Sequence, residues 1–451
     1  MVFGRQPRTT SSTGDASSTA GAARAAETSA GGARAPRGLR LDVAGRIVVI
    51  GLGLLLQACA AVGEPPVSQA ALDTYLEDKP EPVRILYARV LLGGRRGLVL
   101  NHMHAGLAAM DMGEFELAEQ SFDEAIRGIE AVYANDPGAA RARSLWHEEG
   151  TKDFKGEPYE RVMAYYYRGL LYMRRGDFEN ARACFKGGAL QDAFAEEEQH
   201  RCDFALMSFL EGWASQCLGD GDLAQTAYQD VQRLRPDFTL PPPDHNTLIL
   251  AETGRAPRKL ALGEGQHELV CKRGVGFTEQ KVRVTVNEKT EDAYPMEDVA
   301  WQAMTRGGRP IEKILQGHVV FRRTNQQIGT ALTGVAAAAA IAGAHSEDHR
   351  DELLAASAAA GVIGVTQLLI ASKVQTRADT RAWKNLPDAV HVLTCRTDPN
   401  GGDVTIRFAD ASGNEIVEQR REGAVFFIDG RNGMVWVRSR SAVPIQSAGK
   451  P

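Results

Sequence analysis

Tyr165-Tyr166-Tyr167-Arg168-Gly169-Leu170-Leu171-Tyr172-Met173-Arg174-Arg175-Gly176-Asp177-Phe178-Glu179-Asn180-Ala181-Arg182-Ala183-Cys184-Phe185 is the stretch from which the fold of the first half of the chain is read. It sets Gly169 ahead of Ala181, Phe185 and Gly188 at spacings of twelve, four and three residues. The same spacings join Gly106, Ala118, Phe122 and Ala125 upstream, and Gly212, Ala224, Tyr228 and Val231 downstream. Each copy has a second glycine seven residues after the first, Gly113, Gly176 or Gly219, followed by Glu114-Phe115, Asp177-Phe178 or Asp220-Gly221. Self-similar units of this size predict pairs of helices joined at the second glycine and stacked on one another. The first glycine and the alanine let the paired helices approach, and the Phe or Tyr fills the remaining gap.

These spacings resemble the tetratricopeptide repeat, with Pro236 closing the third copy where that family often has proline. The resemblance covers residues 98–240, and the extra segment from Tyr133 to Met163 makes the array an irregular solenoid. In repeats of this type the first helix of each unit lines a concave groove, which implies that Met103, Met110, Tyr166, Met173, Phe209 and Gln216 face it. A clamp for a terminal carboxylate would need Lys, Arg and Asn there. An apolar, Met-lined groove suits an amphipathic or extended apolar segment of a partner protein, which makes these residues the candidate partner contacts. The other occupant is the chain itself.

Outward from the repeats, Leu240-Pro241-Pro242-Pro243-Asp244 breaks the helical pattern, and 241–258 reads as a linker. Alternating apolar residues then predict strands at Glu268 to Lys272, Lys281 to Val286, Val390 to Arg396, Val404 to Phe408, Ile416 to Arg420, Val425 to Ile428 and Met434 to Arg438. They form a small β domain from 259–290 and 388–440, split by a helical insertion at 291–387, with a disordered tail at 441–451. The insertion carries two Ala- and Gly-rich segments, Ile328 to Ala344 and Leu353 to Ser372, around the polar loop His345 to Asp351. Small residues at the spacings of Gly329, Gly334, Gly343, Gly361 and Gly364 allow close helix contact, so a helical hairpin is expected that packs within the protein or between protomers, or enters a membrane. The expected fold class is α+β: a helical solenoid resembling tetratricopeptide repeats, then a small β domain with an inserted hairpin.

At the other end, Met1 to about Arg37 has too few large apolar residues to offset chain entropy and reads as disordered. Arg37, Arg40 and Arg46 precede an apolar run, Ile47 to Leu56, of signal-peptide length and too short to span a bilayer. The run ends in Leu56-Gln57-Ala58-Cys59, which resembles the lipobox of bacterial lipoproteins. That resemblance implies a leader and signal peptide over 1–58, cleavage before Cys59, and a palmitate-bearing lipid on its sulfur. Residues 59–97 would form the lipidated start and a lead-in helix. Ala60 and Ala61, with no Asp after the cysteine, resemble lipoproteins sorted to the outer membrane, facing the periplasm.

Lys155-Gly156-Glu157-Pro158-Tyr159-Glu160-Arg161 and Ala378-Asp379-Thr380-Arg381-Ala382-Trp383, with Leu386-Pro387, resemble an uncharacterised family of periplasmic repeat lipoproteins. That family brings no activity with it. Pro158 suits the first position of a helix, with Glu157 and Glu160 favourable at its positive end.

Export would leave five cysteines in an oxidising compartment, and Cys271 and Cys395, both in strand-like runs, leave open a bridge between adjacent strands. No phosphate loop, His-Glu-x-x-His metal motif or Gly-x-Ser-x-Gly elbow occurs. His102 and His104, two apart, do not share a helix face, and no metal or cofactor is expected. A net charge of −5 gives no reason to expect nucleic acid. The function expected is non-enzymatic: a lipid-anchored scaffold that binds envelope proteins through its repeats. The alternative is an oligomer-forming or membrane-active component of an envelope secretion or export system, acting through the hairpin.

Overall fold

A computed structural model describes residues 67–131, 153–192, 203–263, 266–305, 377–399, 402–441 and 445, with isolated positions at 327, 330 and 337. The leader, Cys59, nearly all of the Ala- and Gly-rich hairpin with its loop, and most of the tail lie outside the described residues. The described part is mixed α and β, with helices in the N-terminal part and sheets in the C-terminal part.

Two lead-in helices, α1 (Gln69–Leu76) and α2 (Glu81–Leu92), precede three hairpins. The hairpins are α3 (Gly94–Asp111) with α4 (Phe115–Ala131), α5 (Pro158–Arg174) with α6 (Phe178–Asp192), and α7 (Ala205–Leu218) with α8 (Gly221–Leu234). Each turns at its second glycine, where Gly113, Gly176 and Gly219 have φ of 81°, 76° and 81°. Glycine reaches this left-handed region without the steric cost other residues meet, which explains its recurrence there. The first glycine of each copy sits under the aromatic ring of the second helix: Gly106 under Phe122, Gly169 under Phe185 and Gly212 under Tyr228. The ring therefore fills space within its own hairpin. Ala118, Ala181 and Ala224 are buried at the corresponding contact.

Helix α5 starts at Pro158, and the Glu160 carboxylate accepts a hydrogen bond from the Glu157 backbone N–H at 2.8 Å, satisfying a donor the helix leaves open. Helix α2 docks through Val83, Tyr87 and Val90 against Ala105 of α3, and the Tyr87 hydroxyl bonds Ser121 at 2.9 Å.

Eleven strands follow among the described residues: β1 (Thr247–Thr253), β2 (Arg258–Leu262), β3 (Glu268–Lys272), β4 (Lys281–Val286), β5 (Lys289–Asp292), β6 (Tyr294–Asp298), β7 (Ala389–Cys395), β8 (Asp403–Ala409), β9 (Arg421–Ala424), β10 (Phe426–Phe427) and β11 (Gly433–Arg438). A short helix, α9 (Val299–Met304), leaves β6. The main sheet has the order β10-β11-β1-β7-β6, with β1 parallel to β11 and its other pairs antiparallel. A second sheet runs β5-β4-β8-β9, and β2 pairs with β3 alone.

Strand β1 shows how the layers form. Leu248 and Leu250 join the helical core, while Ile249 and Ala251 join Val282, Val284, Ile406 and Phe408 of the second sheet. The main sheet is thus sandwiched between the helices and the second sheet.

Several boundaries differ from the sequence reading. Residues 241–258 contain β1, the central strand of the main sheet, because a strand buried on both faces reads as a continuous apolar run without alternation. The stretch assigned to the insertion supplies β6 and α9. Ile416 to Arg420 is not a strand but holds a 3-10 turn at Val417–Gln419. Ile445, placed in the tail, packs in the core between the sheets.

Candidate functional site

The sequence places Met103, Met110, Tyr166, Met173 and Phe209 on an open groove. In the structure all five are at most 3 % exposed, inside one core cluster that also contains Leu248, Leu250, Met296, Val390, Val392 and Trp383. The expectation that these side chains meet a partner is corrected: the chain's own main sheet and the segment around Trp383 occupy that side of the helices. Gln216, the sixth, donates to the carbonyls of Pro242 and His245 at 3.2 Å.

Three buried polar seams fasten the helices to what covers them. At the first, the two motifs meet. Glu160 Oε2 accepts from Lys259 Nζ at 2.6 Å, and its Oε1 accepts from the Trp383 backbone N–H at 2.9 Å. Lys259 also donates to the Arg381 carbonyl at 3.0 Å, with Glu157 3.9 Å away. Burial works against the ammonium charge, but Glu160 and Glu157 together outweigh it and hold the Lys259 pKa above its usual value. Arg381 is clamped by Asp379 at 2.7 Å and reaches the Arg96 carbonyl at 2.6 Å, tying this segment to α3. The two segments thus serve as a structural latch.

At the second seam, Glu252 projects from β1 toward the helices. It accepts from Tyr167 at 3.0 Å, Trp436 at 2.9 Å and Arg438 at 2.9 Å. Arg438 also pairs with Asp111 of α3 at 2.5 Å and donates to the Asn385 carbonyl. Burial raises the Glu252 pKa against the opposing pull of Arg438 and the hydrogen bonds from Trp436 and Tyr167.

The third seam centres on Glu297 of β6. Its carboxylate accepts from the Leu206 backbone N–H at 3.2 Å, Gln302 at 2.9 Å and Arg235 at 3.3 Å. Burial pushes its pKa up to about 7.

Sequence reasoning missed Lys259, Glu252, Glu297 and Arg438 as a group. The available signal was a charge embedded in apolar strand runs, as in Thr247-Leu-Ile-Leu-Ala-Glu252. Such a charge has to be paired, because an unpaired buried ion is costly.

His104 is engaged at both nitrogens, with Nδ1 on the Leu100 carbonyl at 3.0 Å and Nε2 accepting from the Lys384 backbone N–H at 2.9 Å. Burial pushes its pKa down to about 4, so the ring is neutral at pH 7. Among the described residues no cluster of His, Cys, Asp and Glu is placed to hold a metal ion, and no helix is long and apolar enough to cross a membrane.

Cys271 and Cys395 are not on adjacent strands. Cys271 lies opposite Lys259 in the two-stranded sheet, and Cys395 lies opposite Thr247 in the main sheet, so the bridge left open by the sequence does not form. Cys184 is buried in α6, where burial pushes its pKa up to about 12.

Compared with known family models, characterised proteins and solved structures, the chain matches none.

Proposed function

We propose that the protein is a non-enzymatic scaffold of the bacterial envelope, anchored by lipid on Cys59 and facing the periplasm from the outer membrane. The observation that carries the reading is Leu56-Gln57-Ala58-Cys59 after a signal-length apolar run, ahead of three helical hairpins in one repeating register. The recurring glycine–ring contact supports a tetratricopeptide-like array. Because the chain's own sheet takes the side expected to bind, envelope partners meet the outward helices, where Leu190 of α6 and Leu223 of α8 are exposed. The glycine spacing in 328–372 favours a second reading, self-association through the hairpin as part of an export system.

The anchor is tested by growing cells with labelled palmitate. Wild-type protein is expected to take up label and sediment with membranes, and Cys59→Ser to lose both. Persistent label in the variant defeats the lipoprotein reading. Crosslinking in intact cells, with sedimentation of the captured complex, separates foreign envelope partners from self-association.

A further inference from the structure

Between α2, α3 and the segment 380–384 lies an open cleft of about 340 Å³. Arg89, Arg381 and Lys384 line it with Asn101 and His104, and no Asp or Glu does. Arg381 is held by Asp379. Arg89 and Lys384 are exposed, and among the described residues neither side chain forms an ion pair. Their charges add to burial in keeping the His104 ring neutral, so the field in the cleft is positive. Arg95 and Arg96, exposed in the first turn of α3, add further positive charge nearby in the chain.

Helix α2 buries Val83, Tyr87 and Val90 on one side. On the other side Ile85, Arg89 and Leu92 follow one another at four and three residues, which sets them on one stripe. Ile85 is 64 % exposed and Leu92 56 %. Bare apolar side chains flanking a cation suit a surface that is anionic outside and apolar beneath, whereas a soluble anion has nothing to place against them. The whole chain carries a net charge of −5, so attraction to such a surface has to come from a local patch. Val67 is eight residues on from Cys59, a reach of at most about 30 Å, and only α1 separates it from α2. A lipid on Cys59 would therefore keep this patch near a bilayer.

We propose that the cleft and the Ile85–Leu92 face of α2 dock the protein on an anionic phospholipid surface, with lipid phosphates on Arg89 and Lys384 and with Ile85 and Leu92 at the acyl boundary. A guanidinium meets phosphate oxygens through paired N–H donors, and an ammonium meets them as a point charge. The choice of a membrane as partner rests on the lipid-anchor reading. Palmitate labelling decides the anchor alone, and vesicle binding decides the surface alone.

The test uses residues 59–451 carrying Cys59→Ser, because the leader falls in a separate unit, Met1–Glu64, and its apolar run and arginines would bind vesicles themselves. Co-sedimentation is measured with vesicles of phosphatidylcholine alone and with about one-third phosphatidylglycerol. The anionic vesicles are expected to bind about tenfold more tightly or better, and added salt to remove the difference. Arg89→Gln with Lys384→Gln is expected to lose about tenfold on them. Lys186→Gln with Arg233→Gln makes the same charge change on α6 and α8 and is expected to leave binding nearly unchanged. Ile85→Ser with Leu92→Ser is expected to weaken binding to both vesicles, and millimolar glycerol phosphate to displace the protein from neither. The comparison of the two vesicles on the unsubstituted chain keeps the test valid if a variant misfolds. Equal binding to both vesicles, an equal loss from the two charge pairs, or an indifferent Ile85 and Leu92 variant overturns the proposal. So does displacement by glycerol phosphate, which would assign the cleft to a soluble phosphate, or tighter binding of an acidic peptide through Arg89 and Lys384.

Discussion

Glu297 and Lys259 are both buried charges, but they answer burial differently. Lys259 has two acids within 4 Å, and their attraction exceeds the cost of leaving water. Glu297 has one arginine at 3.3 Å, and desolvation wins, raising its pKa from 4.5 to about 7. Below pH 4.5 this carboxyl is protonated in both the folded and unfolded chain and costs nothing. Between pH 4.5 and 7 the unfolded chain releases the proton while the folded chain keeps it, so stability falls as pH rises. Above pH 7 the full penalty applies, about 3 kcal/mol by linkage. Glu297→Gln removes this titration. Its melting temperature relative to wild type is therefore expected to rise between pH 5 and pH 8, even if the lost pair with Arg235 lowers it at every pH. A difference that stays constant across that range would show that Glu297 remains ionised in the fold.

At the scale of the element, the hairpin register was legible because a glycine and an aromatic ring recur sixteen residues apart. The structure adds how tightly each pair is closed. A Cβ at Gly169 would lie 2.3 Å from a Phe185 ring carbon, and one at Gly212 would lie 2.5 Å from Tyr228. At Gly106 the nearest atom is 3.1 Å away, on Ser121. Alanine gains about 1 kcal/mol over glycine in a helix, which offsets a mild contact but not a ring collision. Gly169→Ala and Gly212→Ala are expected to lose about 1–3 kcal/mol in urea unfolding, and Gly106→Ala to stay within about 1 kcal/mol of wild type. Gly219→Ala has open space but a φ of 81°, so it should lose about 1 kcal/mol through backbone strain alone. Equal losses at all four sites would mean that the rings yield freely and that the register is not set by these contacts. The strands were less legible than the hairpins for a matching reason. Exposed-and-buried alternation marks β4, whereas β1 is buried along its whole length and carries no period to read.

For the molecule as a whole, the sequence suggested a solenoid and a separate β domain joined by a linker. What it hid was that a groove-like face and a fully apolar strand are complementary surfaces of one core. Local patterns report which side of an element is buried, not what buries it. Here Tyr166 and Tyr167 of α5, Leu250 of β1 and Trp383 share a single cluster, with the Tyr167 and Trp383 rings 5.7 Å apart. Helices and main sheet should therefore open together. Hydrogen exchange resolved by peptide is expected to give α5 and β1 the same opening free energy, the highest in the protein. Trp383→Ala leaves a cavity where both meet, and a buried aromatic lost in this way costs about 3–5 kcal/mol. Because the cavity touches both layers, the variant should lower the opening free energy of α5 and of β1 by equal amounts. If α5 kept its protection while β1 lost it, the helices would be stable without the sheet. The groove would then be a surface that the sheet covers reversibly, and Met103, Tyr166 and Phe209 would return as partner contacts in the opened form.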